Sequence, residues 1–406
     1  MKGWPTVSLG AIVEVTDYVA NGSFESLRVN VSYSVVPEFA VLVRLVDHNS
    51  GWARPFTYVN KGSYEFLKKS SLAPGDVVVA NVGANAGTVF RVPDLGMPMT
   101  LGPNAVLCRP RNRLEYDRDY MYYFLSSPAG QSLIESIVSG SAQPKFNKTG
   151  LRQLPVPVPP IAHQRAIAQG LGALDDKIAT NAKTMQLARN LAESMFARAV
   201  GHEGDEVVLG DVTSLLTRGV TPRYAESADA AVILNQKCIR DRRVNLGPAR
   251  RTERGSVKQA KWLLQNDVLV NSTGLGTLGR VARWTLHSEA TADSHVSILR
   301  FDASCVEPVC AGYAVLGLED LIEQMGEGST GQTELSRAEL GKVTLRVPGK
   351  DKQADIGRRL SDLSDLTDGL CVESDNLAQI RDALLPRLMS GQIRVKDAEL
   401  MVGDVV

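Results

Sequence analysis

The chain has 406 residues, of which 44% are hydrophobic and 22% charged, and its 45 basic and 45 acidic side chains cancel. That length is too long for one ordinary domain and suits two or three. Composition excludes a membrane span, since no apolar run approaches the ~18 residues one needs. It also argues against a disulfide framework or a zinc site, because the five cysteines (Cys108, Cys238, Cys305, Cys310, Cys371) contain no Cys-x-x-Cys pair.

In chain order, the opening segment MKGWPTVSLGAIVEVT lacks the apolar core and small-residue cleavage site of a secretory signal. A reducing cytoplasm is therefore the expected location. Next come GDVVVANVGANAGTVFRVP (75–93) and NAVLCRP (104–110). Their Val-rich runs, broken by Gly and Asn, read as short strands and turns. YDRDYMYYFLSSPAGQSLIESI (116–137) reads as one helical stretch, and the loop GSAQPKF (140–146) follows it.

At 154–178 the sequence LPVPVPPIAHQRAIAQGLGALDDKI changes character abruptly. Each proline disfavours α conformation in the residue before it, so the first part is extended. Pro159-Pro160 then sits where a helix can begin without losing a hydrogen bond. The helix beyond carries seams at Ile167, Leu174, Asn181, Ala188 and Met195, and at Leu171, Ile178, Met185 and Ala192. A residue every seven with a partner series offset by four is the pattern of a coiled coil. Asp175-Asp176 reads as a solvated face of that helix.

The second half repeats the plan. Leu209-Gly210 matches Leu9-Gly10, NDVLVNSTGLGTLGRVARW (266–284) matches 75–93, and HVSILRF (295–301) matches 104–110. VCAGYAVLGLEDLIEQM (309–325) is the second helical stretch, and GSTGQTEL (328–335) resembles 140–146. LRVPGKDKQADIGRRLSDLSDLT (345–367) aligns Pro348 with Pro159, Gln353 with Gln164 and Ile356 with Ile167. Ile356, Leu363, Leu370, Leu377 and Leu384 recur every seventh residue. Leu360 starts a companion seam that turns polar at Thr367, Ser374 and Arg381, and Pro386 with Ser390-Gly391 ends the helix.

Five matches in the same order mark a duplicated domain and not a solenoid, whose period is far shorter. The expected fold is α+β: two similar α/β domains separated by two long antiparallel helices forming a coiled coil, with pseudo-twofold symmetry. The boundaries are 1–158 for the first domain, 159–200 for the central helix and 201–347 for the second domain. The C-terminal helix takes 348–395 and a tail 396–406. Helix pairing is assigned to Ile167, Leu171, Leu174, Ile178, Ile356, Leu360, Leu363, Leu370, Leu377 and Leu384.

No catalytic constellation is evident. There is no Gly-x-x-x-x-Gly-Lys-Ser/Thr motif, and GLGTLG (274–279) lacks an acidic residue about 20 positions on. Asp293-Ser294-His295 are consecutive and point to alternate faces of a strand, so they do not form a triad. No metal ligand set is assigned.

Binding remains. The Gly-rich turn of the first half presents Asn81, Asn85 and Arg91, and that of the second presents Asn271, Ser272, Thr273, Thr277 and Arg280. Gly permits close backbone approach, and these side chains suit phosphate and base-edge contacts. The second loop group adds Gln143, Lys145 and Lys148 in one half and Gln332 and Arg337 in the other. Charge is also segregated: from 237 to 261 nine basic residues face two acids, whereas 361–379 holds five acids and no Lys or Arg. Lys237, Arg240, Arg242 and Arg243 are therefore candidates for sequence-independent phosphate contacts.

These features resemble the DNA-specificity subunit of a Type I restriction–modification system. The resemblance spans the chain and rests on the paired Gly/Asn-Asp-Val segments, the 154–178 junction and the ending IRDALLPRLMSGQIRV (380–395). It implies two target-recognition domains, each reading half of a split double-stranded DNA site, with paired helices setting the spacer. It implies no cofactor on this chain. Two modification subunits would bring S-adenosylmethionine for adenine-N6 methylation, and restriction subunits would bring ATP and Mg for the motor and nuclease. A coiled-coil protein adaptor without nucleic-acid binding is the alternative that zero net charge motivates.

Overall fold

A computed structural model describes residues 4–53, 55–227, 229–326 and 334–395. The chain divides into two compact units, one comprising 1–178 with 375–406 and the other 179–374.

The first unit holds an antiparallel sheet of Val13–Asp17, Ala105–Pro110, Val77–Ala80 and Val89–Arg91, in that spatial order. A second sheet of five short strands centres on Ala40–Val43, which pairs in parallel with Met99–Leu101. Val77, Val79, Val106 and Cys108 face one core, and Val78 and Leu107 face another. That split is the period-2 alternation of a strand buried on both faces.

The second unit repeats this framework. Its sheet runs Thr213–Arg218, Val296–Phe301, Val268–Asn271 and Val281–Arg283. The parallel pair recurs as Ala231–Leu234 with Ala290–Ala292. Register is kept to the residue: Val77 faces Arg91 in one unit and Val268 faces Arg283 in the other.

The helical stretch expected at 116–137 is two helices, Arg118–Ser126 and Pro128–Ile137. Pro128 lacks the amide that would extend the first helix and sits at the start of the second, where Ser127 caps by accepting from the Gly130 amide at 3.1 Å. In the second unit the break between Pro308–Leu316 and Glu319–Gln324 falls at Gly317-Leu318.

Both junctions are built alike. Pro155–Pro157 pairs as a strand with Thr6–Ser8, and Thr344–Val347 pairs with Asp205–Val208. The helices that follow run Ile161–Val200 and Lys350–Met389. Each spans 40 residues, about 60 Å at 1.5 Å per residue. The C-terminal helix passes through Pro386 and ends only at Met389, where Gly391 takes φ of 72°. Pro386 therefore lies in the last turn and does not stop the helix.

Within the first unit, Ile167, Leu171 and Leu174 share a core with Leu377, Leu384 and Leu388, and Ile178 is half-buried against it. Within the second, Ala192 packs with Leu360, flanked by Ile356 and Leu363, while Leu370 is half-buried outside that cluster. The polar seam positions meet polar partners. Buried Asn181 donates to Glu373 Oε2 at 2.8 Å and Ser374 Oγ at 3.2 Å. Since Asn181 meets Ser374 and Ala192 meets Leu360, the two helices run antiparallel in this unit.

Leu360 is fully buried and Leu366 is 46% exposed on the same helix. Leu360→Ala is expected to cost about 2–5 kcal/mol of unfolding free energy, and Leu366→Ala no more than about 0.5 kcal/mol. Urea denaturation of the two variants checks both.

Candidate nucleic-acid interface

Each domain brings its Gly-rich turn against its second loop group. In the first, Gly83 N donates to Pro144 O at 2.9 Å and Phe146 N to Asn81 O at 3.1 Å. Lys145 bridges both Val82 and Ser139. In the second, Leu335 N donates to Ser272 O at 2.8 Å, and Thr273 bridges Glu334. Gly83 and Gly87 take φ of 102°, and Gly274, Gly276 and Gly279 are likewise positive. Side chains with a Cβ rarely adopt that conformation, which is why both turns need glycine.

The side chains singled out from sequence separate into outward and inward groups. Asn85, Gln143 and Lys145 are exposed. Thr273 is half-buried, with Oγ1 2.8 Å from Nδ1 of exposed His295. Thr277 bonds back to Gly274 O at 3.3 Å, and Arg280 to Gly276 O at 2.8 Å, so both brace the turn. Asn81 is half-buried with its Oδ1 buried. Asn271 and Ser272 are corrections: both are fully buried. Asn271 Nδ2 donates to Gln236 O and Thr277 O, and Ser272 Oγ lies 2.6 Å from Ser297 Oγ. A side chain so enclosed supports the turn from beneath and does not reach a ligand. Gln332 lies outside the described residues, and Arg337 is exposed.

Arg91 is a second correction. It does not stand on the turn but points at the central helix. Its Nη1 is 3.3 Å from Asp119 and its Nη2 3.5 Å from Asp175, and it lies 4.3 Å over the Tyr122 ring. Burial works against its charge, but Tyr123, Tyr122 and Asp119 outweigh that and raise its pKa. Asp175 is not on a solvated face: it also accepts from Tyr123 Oη at 2.6 Å and Arg381 Nη1 at 2.8 Å.

By strand register the counterpart of Arg91 is Arg283, not Arg280. Arg283 is 5% exposed, donates to Ser364 Oγ at 2.7 Å and lies 5.1 Å from the Tyr313 ring centre. Ser364 stands where the first copy has Asp175, so the carboxylate is missing. Arg283 Nε and Nη1 find no hydrogen-bond partner, and burial pushes its pKa down.

The basic segment divides as well. Lys237 and Arg240 are exposed. Arg242 pairs with Glu193 at 2.9 Å and Glu319 at 3.2 Å, and Arg243 pairs with Asp368 at 3.2 Å. These two arginines fasten the hairpin of Ile239–Arg240 and Arg243–Val244 to helices of its own unit. Among the described residues, no group of three or more His, Cys, Asp and Glu could hold a metal. No helix there is long and apolar enough to cross a membrane.

Sequence reasoning missed Asp17, Arg218 and Glu334. Asp17 Oδ1 pairs with Lys148 Nζ at 2.7 Å, and Arg218 Nη2 pairs with Glu334 Oε1 at 2.7 Å. Both pairs lie beside the turn–loop bridges, but the partners are too far apart in sequence for spacing to reveal them.

Residues 1–188 match the family described as Type I restriction modification DNA specificity domain. The chain is 21% identical over 364 residues to a Methanocaldococcus jannaschii protein described as the MjaX specificity subunit of a type I restriction enzyme. That alignment covers 84% of this chain and 83% of the relative. It is 19% identical over 375 residues to the StySPI specificity subunit of Salmonella potsdam, covering 83% of this chain and 79% of that one. The fold is similar to the crystal structure of a Type-I restriction-modification system S subunit from M. genitalium, with a TM-score of 0.62 at 16% identity. That similarity covers 95% of this chain and 96% of the other.

The contrast between Arg91 and Arg283 is testable. Asp175→Ser should lower unfolding free energy by about 1–3 kcal/mol, since charged donors lose their acceptor. Ser364→Asp should raise it by giving Arg283 a carboxylate. Equilibrium urea unfolding reads both signs.

Proposed function

We propose that the chain is a member of the Type I restriction–modification specificity-subunit family, as the match of residues 1–188 supports, and that it is the non-catalytic subunit that reads a split DNA site. Each domain reads one half-site, and the paired helices set the length of the unread spacer. The observation that carries this is the duplicated framework: both domains join a Gly-rich turn to a second loop by the same backbone bridge. Two copies of one frame give two readers, and different exposed side chains give different half-sites. Lys237 and Arg240 supply phosphate contacts, so affinity falls steeply with salt.

The partners in this reading are double-stranded DNA, two modification subunits and the restriction subunits. The modification subunits carry S-adenosylmethionine and methylate adenine N6. The restriction subunits carry ATP and Mg for motor and nuclease. This chain brings no cofactor of its own, and the complex works in the cytoplasm.

Co-expression with the modification subunits, followed by mapping of methylated adenines, is expected to give a bipartite motif. Exchanging residues 1–155 for those of a relative should change one half of that motif. Inserting whole heptads in both helices should lengthen only the spacer. Absence of any bipartite motif in the intact system would overturn the reading.

A further inference from the structure

The internal duplication supplies a comparison within one molecule, because equivalent positions can be identified from strand register. Asp17 faces Val106 in the first domain, and Arg218 faces Ser297 at the same place in the second. Lys145 bridges Val82, and Glu334 bridges the matching Thr273. Lys148 opens the short helix Lys148–Gln153, and Arg337 opens its counterpart Arg337–Gly341.

The framework around these positions is kept. Arg109 pairs with Asp76 in one domain, and Arg300 pairs with Asp267 in the other. Against that background, the charges beside the Gly turn are exchanged. In the first domain the strand end is acidic and the bridging loop residue basic. In the second the strand end is basic and the loop residue acidic.

Each site holds one closed ion pair and one further cation. Asp17 pairs with Lys148, leaving exposed Lys145. Arg218 pairs with Glu334, with Nη2 also donating to Leu335 O at 3.0 Å, leaving exposed Arg337. The surplus charge is thus the same in both domains, but its place moves from the loop to the start of the short helix. Arg218 and Arg337 line one open cleft together with Glu334. The charge in that cleft suits a polyanion at the rim and base edges beyond it. A guanidinium matches guanine O6 and N7, and a carboxylate accepts from cytosine N4.

We propose that the triads Asp17/Lys145/Lys148 and Arg218/Glu334/Arg337 are specificity-determining positions, and that their exchanged charges make the two domains read different half-sites. This rests on the DNA-reading function proposed above. The kept framework holds the two sites in equivalent positions, and the exchanged charges alter what each offers to a base edge. An identical fold with an identical surface would read a palindrome.

The test transfers one triad into the other domain within the full complex. Arg218→Asp, Glu334→Lys and Arg337→Lys together place the first domain's charges in the second domain. The reciprocal graft is Asp17→Arg, Lys145→Glu and Lys148→Arg. Methylated-adenine mapping should show each graft weakening methylation of its own wild-type half-site at least tenfold, with the other half-site and the spacer unchanged. An unchanged motif in both grafts would overturn the inference while leaving the DNA-reading function intact. If the wild-type complex yields no bipartite motif, that function fails and the inference with it. Should a graft lower the melting temperature, single Glu334→Lys at an exposed position carries the same test.

Discussion

Gln164 and Gln353 fix how each long helix leaves its domain, and the rest of the design depends on that exit. A helix N-terminus leaves amides without partners, and the carbonyl of the entering strand must also be satisfied. Gln164 Nε2 donates to Pro159 O at 2.8 Å and to Glu115 O at 3.1 Å, while its Oε1 accepts from Asp117 N at 2.8 Å. Gln353 Nε2 donates to Pro348 O at 2.8 Å, and its Oε1 accepts from Glu307 N at 2.9 Å. Asp117 and Glu307 are themselves the caps of the domain helices. One buried side chain therefore ties the start of a domain helix to the start of a long helix, twice. With Pro348-Gly349 in place of two prolines, the second junction keeps two of those three bonds, to the proline carbonyl and to the amide of the helix cap.

The two domains then show which features the fold requires and which it leaves free. Arginine–aspartate pairs under the sheet, the glutamine junctions and the turn–loop bridge occur in both. Other features diverge. The first domain fixes its sheet-edge arginine with two carboxylates, and the second holds Arg283 with a hydroxyl and the face of Tyr313. Desolvated arginine with bare N–H groups costs stability, so the second domain is the less well compensated at this joint.

The duplication, the junctions and the heptad seams were legible in the sequence because each is a local pattern. The companion seam turns polar where polar partners stand opposite: Ser374 meets Asn181, and Arg381 meets Asp175. The placement of Arg91 was not legible. The second Gly turn, Gly274–Gly279, is one residue longer than Gly83–Gly87, so counting on from Val77 and Val268 sets Arg91 against Ala282, while strand pairing selects Arg283. The burial of Asn271 and Ser272 was likewise hidden, since the type of a residue does not say which face of a strand end it takes. The ion pairs at Asp17 and Arg218 join segments 131 and 116 residues apart, a closeness only the sheet order creates.

In the proposed function two readers act on one DNA with an unread gap between them. Missing-base interference on the complex with its modification subunits probes this directly, because removing a base abolishes only contacts to that base. A split site gives two short clusters of sensitive positions separated by a run where base removal has no effect. A single uninterrupted cluster, or uniform insensitivity along the duplex, would contradict it.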